Sequence, residues 1–289
     1  MSARTDLATP LLSVKNLTID ILSAHNTQTV VHDVSFDLEK GRTLGIVGES
    51  GSGKSLTANA IMGILPDVAA AKGSITYNGT ELLGLRAKER QSLSGPELGY
   101  IFQEPMSALH PTLSIGDQMI RPMRKHLGIS RNEAKQRAIE LLVKVGIPPE
   151  RHVLGAYVHQ LSGGMRQRVM IAMSISCDPK LLIADEPTTA LDATIQKQIL
   201  ELLVELRESL GLSMILISHD LGLISEYSDD VVVMLDGYEM EQGRTADVVA
   251  NPSSGYTAGL LQAAPRLGEK RDRLPVMDRA EFTKLEATS

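Results

Sequence analysis

The sequence predicts an α/β fold in which a mostly parallel sheet is covered by helices. Two observations carry the prediction. Short apolar runs of strand length alternate with amphipathic runs at helical spacing, and successive units of that kind pack as a parallel sheet. One apolar run, in "TLGIVGESGSGKS", passes through a glycine-rich loop straight into a helical stretch.

Taken in order, "LLSVKNLTIDI" and "TVVHDVSFDL" read as strands. "TLGIV" is a buried strand, and the helix after its loop is expected over Leu56 to Ile64. From about Gln103 to Gln160 the texture changes, and this stretch reads as a helical subdomain. Ser130 and Glu133 form a capping box for "RNEAKQRAIELLVKVG", in which Ala134, Ala138, Leu141, Leu142 and Val145 share one face before Gly146 stops the helix. Alternation then resumes: "KLLIADE" is a strand, "ATIQKQILELLVELRESLG" an amphipathic helix and "SMILISHD" a strand. "VVVMLDGYEMEQG" is a hairpin turning at Asp236-Gly237. The expected organisation is one core in two parts, 1–102 and 161–245, a helical subdomain at 103–160 and a C-terminal extension at 246–289. No internal repeat appears.

Composition narrows the function classes. The chain has 289 residues, 29 Lys plus Arg against 35 Asp plus Glu, and 3% aromatics with no Trp. A nucleic-acid binder is more often basic and stacks bases on aromatic rings, so no nucleic-acid partner is expected. Cys177 is the only cysteine, which excludes an internal disulfide and a cysteine-based zinc or iron–sulfur cluster; a small core residue is its expected role. The N-terminal "MSARTDLATP" lacks an apolar leader core, and no apolar run reaches the roughly 18 residues of a membrane span. A soluble, cytoplasmic chain is expected, whose membrane, if it works at one, another subunit supplies.

Three motifs carry chemistry. "GESGSGKS", Gly48 to Ser55, matches G-x-x-x-x-G-K-[ST] between a strand and a helix. Its residues Gly48, Ser50, Gly51, Ser52, Gly53, Lys54 and Ser55, with Leu56, are candidate phosphate ligands: the backbone wraps the phosphates, Lys54 reaches the β and γ oxygens, and the Ser55 hydroxyl binds Mg²⁺. "LLIADEP" ends an apolar strand in two carboxylates. Such a pair is often a solvated turn, but beside a phosphate loop Asp185 suits Mg²⁺ and Glu186 suits orienting and deprotonating an attacking water. "LSGGM" places Ser162 as an N-cap and Gly163 and Gly164 at a helix mouth stripped of side chains, an ordinary capped helix or an anion seat. Gln103 follows the apolar stretch "LGYIF", and His219 ends "SMILIS", where ligand-contacting residues of open parallel sheets collect.

Together "GESGSGKS", Gln103, "LSGGM", "LLIADEP", "TALD" and His219 occur in the order, and at roughly the spacings, of the ATP-binding subunit of ABC transporters, which this chain resembles over about residues 12 to 250. The resemblance implies a P-loop NTPase (RecA-like) core with an N-terminal antiparallel β-subdomain. It further implies ATP and Mg²⁺ as cofactors, with Gln103, Ser55 and Asp185 at the metal and Glu186, His219, Lys54 and Gln103 in catalysis. Two ATPase chains, the same or homologous, would face head to tail, with Ser162, Gly163 and Gly164 of one meeting the γ-phosphate held by Lys54 and Ser55 of the other. The remaining partners implied are two transmembrane permease subunits and, indirectly, an extracytoplasmic solute-binding protein, at the cytoplasmic face of the plasma membrane. The segment Glu104 to Met119 is expected to line the permease docking groove, and charge-reversing or bulky changes at Ser107 or Leu109 to uncouple transport while leaving ATP binding intact.

"VGESGSGKSLTANAIMGILP", "IFQEPMSALHP" and "NPSSGYTAGLLQAAP" look most like the oligopeptide, dipeptide and nickel importer branch, which implies uptake of a peptide-like or metal-chelate solute. Two departures stand out: "SGYT" replaces the usual His-Pro-Tyr-Thr, and "LTIDILSAHN" offers His25 but no aromatic ring where many members stack adenine. A DNA-repair ATPase would carry long insertions between the motifs, a translation factor two such domains, and an exporter fused membrane spans.

Overall fold

The computed structural model describes residues 9–23, 26–189 and 191–263, so His25, Ala190 of "TALD" and the tail from 264 onward lie outside the described residues. The chain forms two compact units, Met1–Leu83 with Leu216–Ser289, and Gly84–Ile215.

The first unit opens with β1 (Leu12–Leu22), β2 (Thr27–Leu38) and β3 (Thr43–Gly48), followed by α1 (Lys54–Met62), β4 (Ala69–Tyr77) and β5 (Thr80–Glu81). The second unit contains α2 (Ala87–Leu93), β6 (Leu98–Ile101), α3 (Pro105–Ala108), α4 (Ile115–Leu127) and α5 (Arg131–Lys144). After three short 3₁₀ turns come α6 (Gly163–Ser174), β7 (Leu181–Asp185) and α7 (Ala193–Leu210). β8 (Ser213–Ser218) crosses from the second unit back to the first, which then adds α8 (Leu221–Tyr227), β9 (Asp230–Leu235), β10 (Tyr238–Arg244), α9 (Thr245–Ala250) and α10 (Gly255–Ala263).

In the first unit the strands run in the order β5-β4-β1-β2-β10-β9-β3. The β1, β2, β4 and β5 pairings are antiparallel, while β3 lies parallel to β9. The β9–β10 hairpin turns at Asp236 and Gly237, both with positive φ, as the Asp-Gly pair implies. In the second unit β6 and β7 are parallel. β3, β6, β7 and β8 are buried along their whole length, as strands covered on both faces must be. The fold is thus an α/β P-loop NTPase fold with a mixed sheet.

Helix α5 has the expected capping box, with Ser130 accepting from the Glu133 amide and Glu133 from the Ser130 amide. Its face of Ala134, Ala138, Leu141 and Leu142 is buried, as is Val145, and Gly146 takes a positive φ after it. Cys177 is buried, and burial pushes its thiol pKa up, consistent with a core role. Leu109, the residue after α3, is 2% exposed and belongs to the core. Met106, 47% exposed, is the exposed large apolar side chain of the segment Glu104 to Met119, and Phe102, 42% exposed, lies just before it.

Candidate active site

The predicted residues fall into both units. In the first, β3 ends at Gly48 and the loop delivers the chain into α1, which begins at Lys54 rather than at the expected Leu56. The earlier start has a cause: Gly53 caps the helix at φ 95°, a conformation L side chains avoid, and so frees Lys54 for the first helical position. Gly48 is needed for space, since a Cβ there would press against the Met234 carbonyl and sit 2.7 Å from Ser52 Oγ.

The loop closes around its lysine. Lys54 is only 4% exposed, and its Nζ donates to the carbonyls of Gly48 and Glu49 at 2.7 Å each and to Ser52 Oγ at 3.5 Å. Glu49 O also accepts from Ser52 N at 3.2 Å, and Ser52 O accepts from Gly237 N. No side chain caps α1. A buried ammonium, a helix mouth left to backbone amides and a cradle that a Cβ would fill together fit the phosphates of a nucleotide. Ser50, Gly51, Ser55 and Leu56 belong to this loop and the first turn. His219 is exposed just past β8, immediately before Asp220, which caps α8 by accepting from Leu223 N at 3.1 Å.

In the second unit β7 ends in Asp185, 5% exposed, whose Oδ2 accepts from the Tyr100 hydroxyl of β6 at 2.9 Å. Burial, and next the Asp185 charge, push the Tyr100 pKa far up, so this hydroxyl remains a donor at any working pH. Glu186 follows with φ 43°, the left-handed region, which turns it off the strand line. Two donors meet on its Oε2: Gln103 Nε2 at 3.0 Å and Thr189 Oγ1 at 2.8 Å. Asp185 and Glu186 are therefore held in different environments, one buried against a phenol and the other half-buried between an amide and a hydroxyl. Carboxylate and hydroxyl oxygens suit Mg²⁺. Among the described residues no group of three or more His, Cys, Asp or Glu could hold a metal.

Ser162 caps α6, accepting from Met165 N at 3.4 Å. Ser162 and Gly163 are exposed. A Cβ on Gly163 would meet nothing nearer than Leu191 Cδ2 at 4.0 Å, and one on Gly164 nothing nearer than Ile195 Cγ2 at 3.6 Å. Neither glycine has a positive φ, so neither is required by its own chain.

Tyr100 and Thr189 were not singled out from the sequence. Thr189 had a signal, a hydroxyl three residues after Glu186 on a turn; Tyr100 had a weaker one, a polar tip in an otherwise apolar strand.

The model of the ABC transporter family matches residues 31–189. The oligopeptide transport ATP-binding protein OppD of Salmonella typhimurium is 46% identical over 260 residues, 90% of this chain and 78% of that protein. The Bacillus subtilis dipeptide transport ATP-binding protein DppD is 44% identical over 280 residues, 96% and 81%. Among solved structures, the dimeric ATP-binding cassette MJ0796, in a post-hydrolysis state bound to ADP and phosphate, aligns with TM-score 0.72 at 25% identity, over 81% of this chain and 98% of that one. The cassette cbiO1 of Clostridium perfringens, part of a cbiONQ transporter complex, aligns with TM-score 0.69 at 27% identity, over 84% and 91%. With more than half its length inside the family's own model and full-length relatives at this identity, the chain belongs to the ABC transporter family.

Proposed function

We propose that this chain is the ATP-hydrolysing subunit that energises uptake of a peptide-like solute through a membrane ABC importer. The relatives described above are named for peptides and not for metal chelates, which favours the former solute class. Among the described residues no helix is long and apolar enough to cross a membrane, so the reading places two permease subunits and a solute-binding protein beside it, with this chain peripheral at the cytoplasmic face.

The reaction is in-line attack of water on the γ-phosphate of ATP. Lys54 and the amides of Gly48, Ser50, Gly51, Ser52, Gly53, Ser55 and Leu56 bind the phosphates and stabilise the charge that spreads over them. Ser55, Asp185 and Gln103 are the residues that would hold Mg²⁺, which would supply further charge neutralisation. Glu186 takes the proton of the attacking water, and its rotation is fixed by Gln103 and Thr189 meeting on one oxygen. Gln103 thereby sits between the base and the start of the segment that includes Met106 and Ser107, the exposed positions suited to a permease helix. His219 positions the γ-phosphate. Ser162, Gly163 and Gly164 serve the nucleotide of a second ATPase chain, and closure and reopening of that pair drives the permease.

The observation that carries the reading is the held carboxylate of Glu186 beside the buried Asp185. Glu186→Gln keeps the shape and loses only the proton acceptor. Steady-state turnover, measured with the partner subunits, is expected to fall by about 10² or more while MgATP still binds. Near-parental hydrolysis in this variant rules out Glu186 as the base.

A further inference from the structure

We propose that Tyr256, in the C-terminal segment beyond the core, is a positioning residue for the phosphate loop. Its side chain is 1% exposed, and its hydroxyl accepts from the backbone N–H of Glu49 at 3.3 Å. That N–H belongs to the Gly48–Glu49 peptide, where β3 gives way to the loop. The carbonyl of that peptide, Gly48 O, accepts from Lys54 Nζ at 2.7 Å, so the peptide that orients the lysine on one side is held by Tyr256 on the other. A peptide plane is rigid, and fixing the Glu49 N–H fixes the direction of the Gly48 C=O in the same plane.

The segment that delivers Tyr256 is itself anchored. Glu241 on β10, 9% exposed, accepts from Ser253 N at 2.7 Å and Ser253 Oγ at 2.8 Å on one oxygen, and from Ser254 N at 3.1 Å on the other. Ser254 Oγ in turn accepts from Tyr256 N at 3.2 Å, where α10 begins. A buried carboxylate is costly unless its oxygens are satisfied, and here backbone and side-chain donors of the segment satisfy it. The chain of contacts therefore runs from Glu241 through Ser253 and Ser254 to Tyr256, and from its hydroxyl to Glu49 and Lys54. The segment "SSGYT" is built as a brace for the nucleotide loop, and its state of docking sets how well the loop holds phosphate.

The inference rests on the ATPase reading and is tested separately from it. Tyr256→Phe removes one oxygen and keeps the ring that fills the buried site. In the full chain with its partner subunits, KM for ATP is expected to rise about fivefold, the worth of one net hydrogen bond, with kcat changed less than about twofold. ADP affinity of the isolated full chain should fall by the same factor. A hydroxyl that merely holds the segment in place would lower the melting temperature and leave KM and ADP affinity alone, and that result overturns the proposal. Glu241→Gln is expected to raise KM less, and the double variant no more than Tyr256→Phe alone, because Glu241 acts through Tyr256; additive increases contradict the brace. A parental protein that neither binds nor hydrolyses ATP defeats the ATPase reading, and this inference with it. A working parent beside an unaltered Tyr256→Phe defeats this inference alone.

Discussion

Two helix mouths in this chain, α1 and α6, look alike in sequence, each opening on serines and glycines, yet only one is explained by its own surroundings. At α1 the glycines are demanded locally: Gly53 by φ 95° and Gly48 by the lack of room for a Cβ. Lys54, directly after Gly53, is buried and its ammonium wrapped by carbonyls. At α6 the serine caps in the ordinary way, but Gly163 and Gly164 have ordinary backbone angles and space for a side chain. Glycine costs about 0.5–1 kcal/mol relative to alanine in the middle of a helix, and a part of that in the first turn. A chain that bears that cost twice at an exposed mouth, without local need, has its reason outside itself, and the second nucleotide-bearing chain of the proposed function is such a reason.

Substitutions should separate the mouths. Gly53→Ala forces a side chain into the left-handed region and against Val31 Cγ2 at 2.9 Å. It is expected to cost about 1–3 kcal/mol of stability, read by denaturant unfolding, and to abolish nucleotide binding. Gly163→Ala and Gly164→Ala should leave stability unchanged or raise it by a few tenths of a kcal/mol, since alanine is the better helix former. Nucleotide binding to the isolated chain should survive, while ATP-dependent pairing, followed by gel filtration of the Glu186→Gln background, should be lost. Unfolding of the Gly163 or Gly164 variants contradicts the comparison.

A smaller effect concerns the acid sensitivity of the closed mouth's support. Burial works to raise the Glu241 pKa, but the donors from Ser253, Thr257 and Ser254 together outweigh it and hold the carboxyl below the ordinary glutamate range. A lowered folded pKa means that the ionised form contributes stability in full above the unfolded value, and that this is lost as pH falls through the folded one. The melting-temperature gap between parent and Glu241→Gln should therefore be constant near neutrality and close below about pH 4. A gap that widens on acidification contradicts the assignment.

Much of the frame was legible because local chemistry dictates it. The alternation of "KLLIADE", "ATIQKQILELLVELRESLG" and "SMILISHD" gave β7, α7 and β8, and Ser130 with Glu133 gave the start of α5. What stayed hidden depends on partners far along the chain. Tyr100 and Asp185 meet because β6 and β7 pair, and Tyr256 meets Glu49 because α10 returns to the phosphate loop; no periodicity records either. The burial of Leu109 was likewise hidden, because it depends on how α3 ends, a boundary that sequence specifies weakly.

The central claim is that the α6 mouth serves the nucleotide of another chain, and mixing two defective variants tests it most directly. Lys54→Ala damages the site within its own chain, and Ser162→Arg would block the site across the interface. Each alone leaves both sites of a homodimer defective, with rate losses on the order of 10² or more from lost phosphate stabilisation. In the mixed dimer both lesions fall in one site and the other is whole. If the chain pairs with a different ATPase, the same lesions are divided between the partners. The account predicts that mixing restores ATP binding at one site per dimer, with partial hydrolysis if one site can turn over. No recovery, in a preparation where mixed dimers are shown to form, means that Ser162 serves its own chain's nucleotide and contradicts the account.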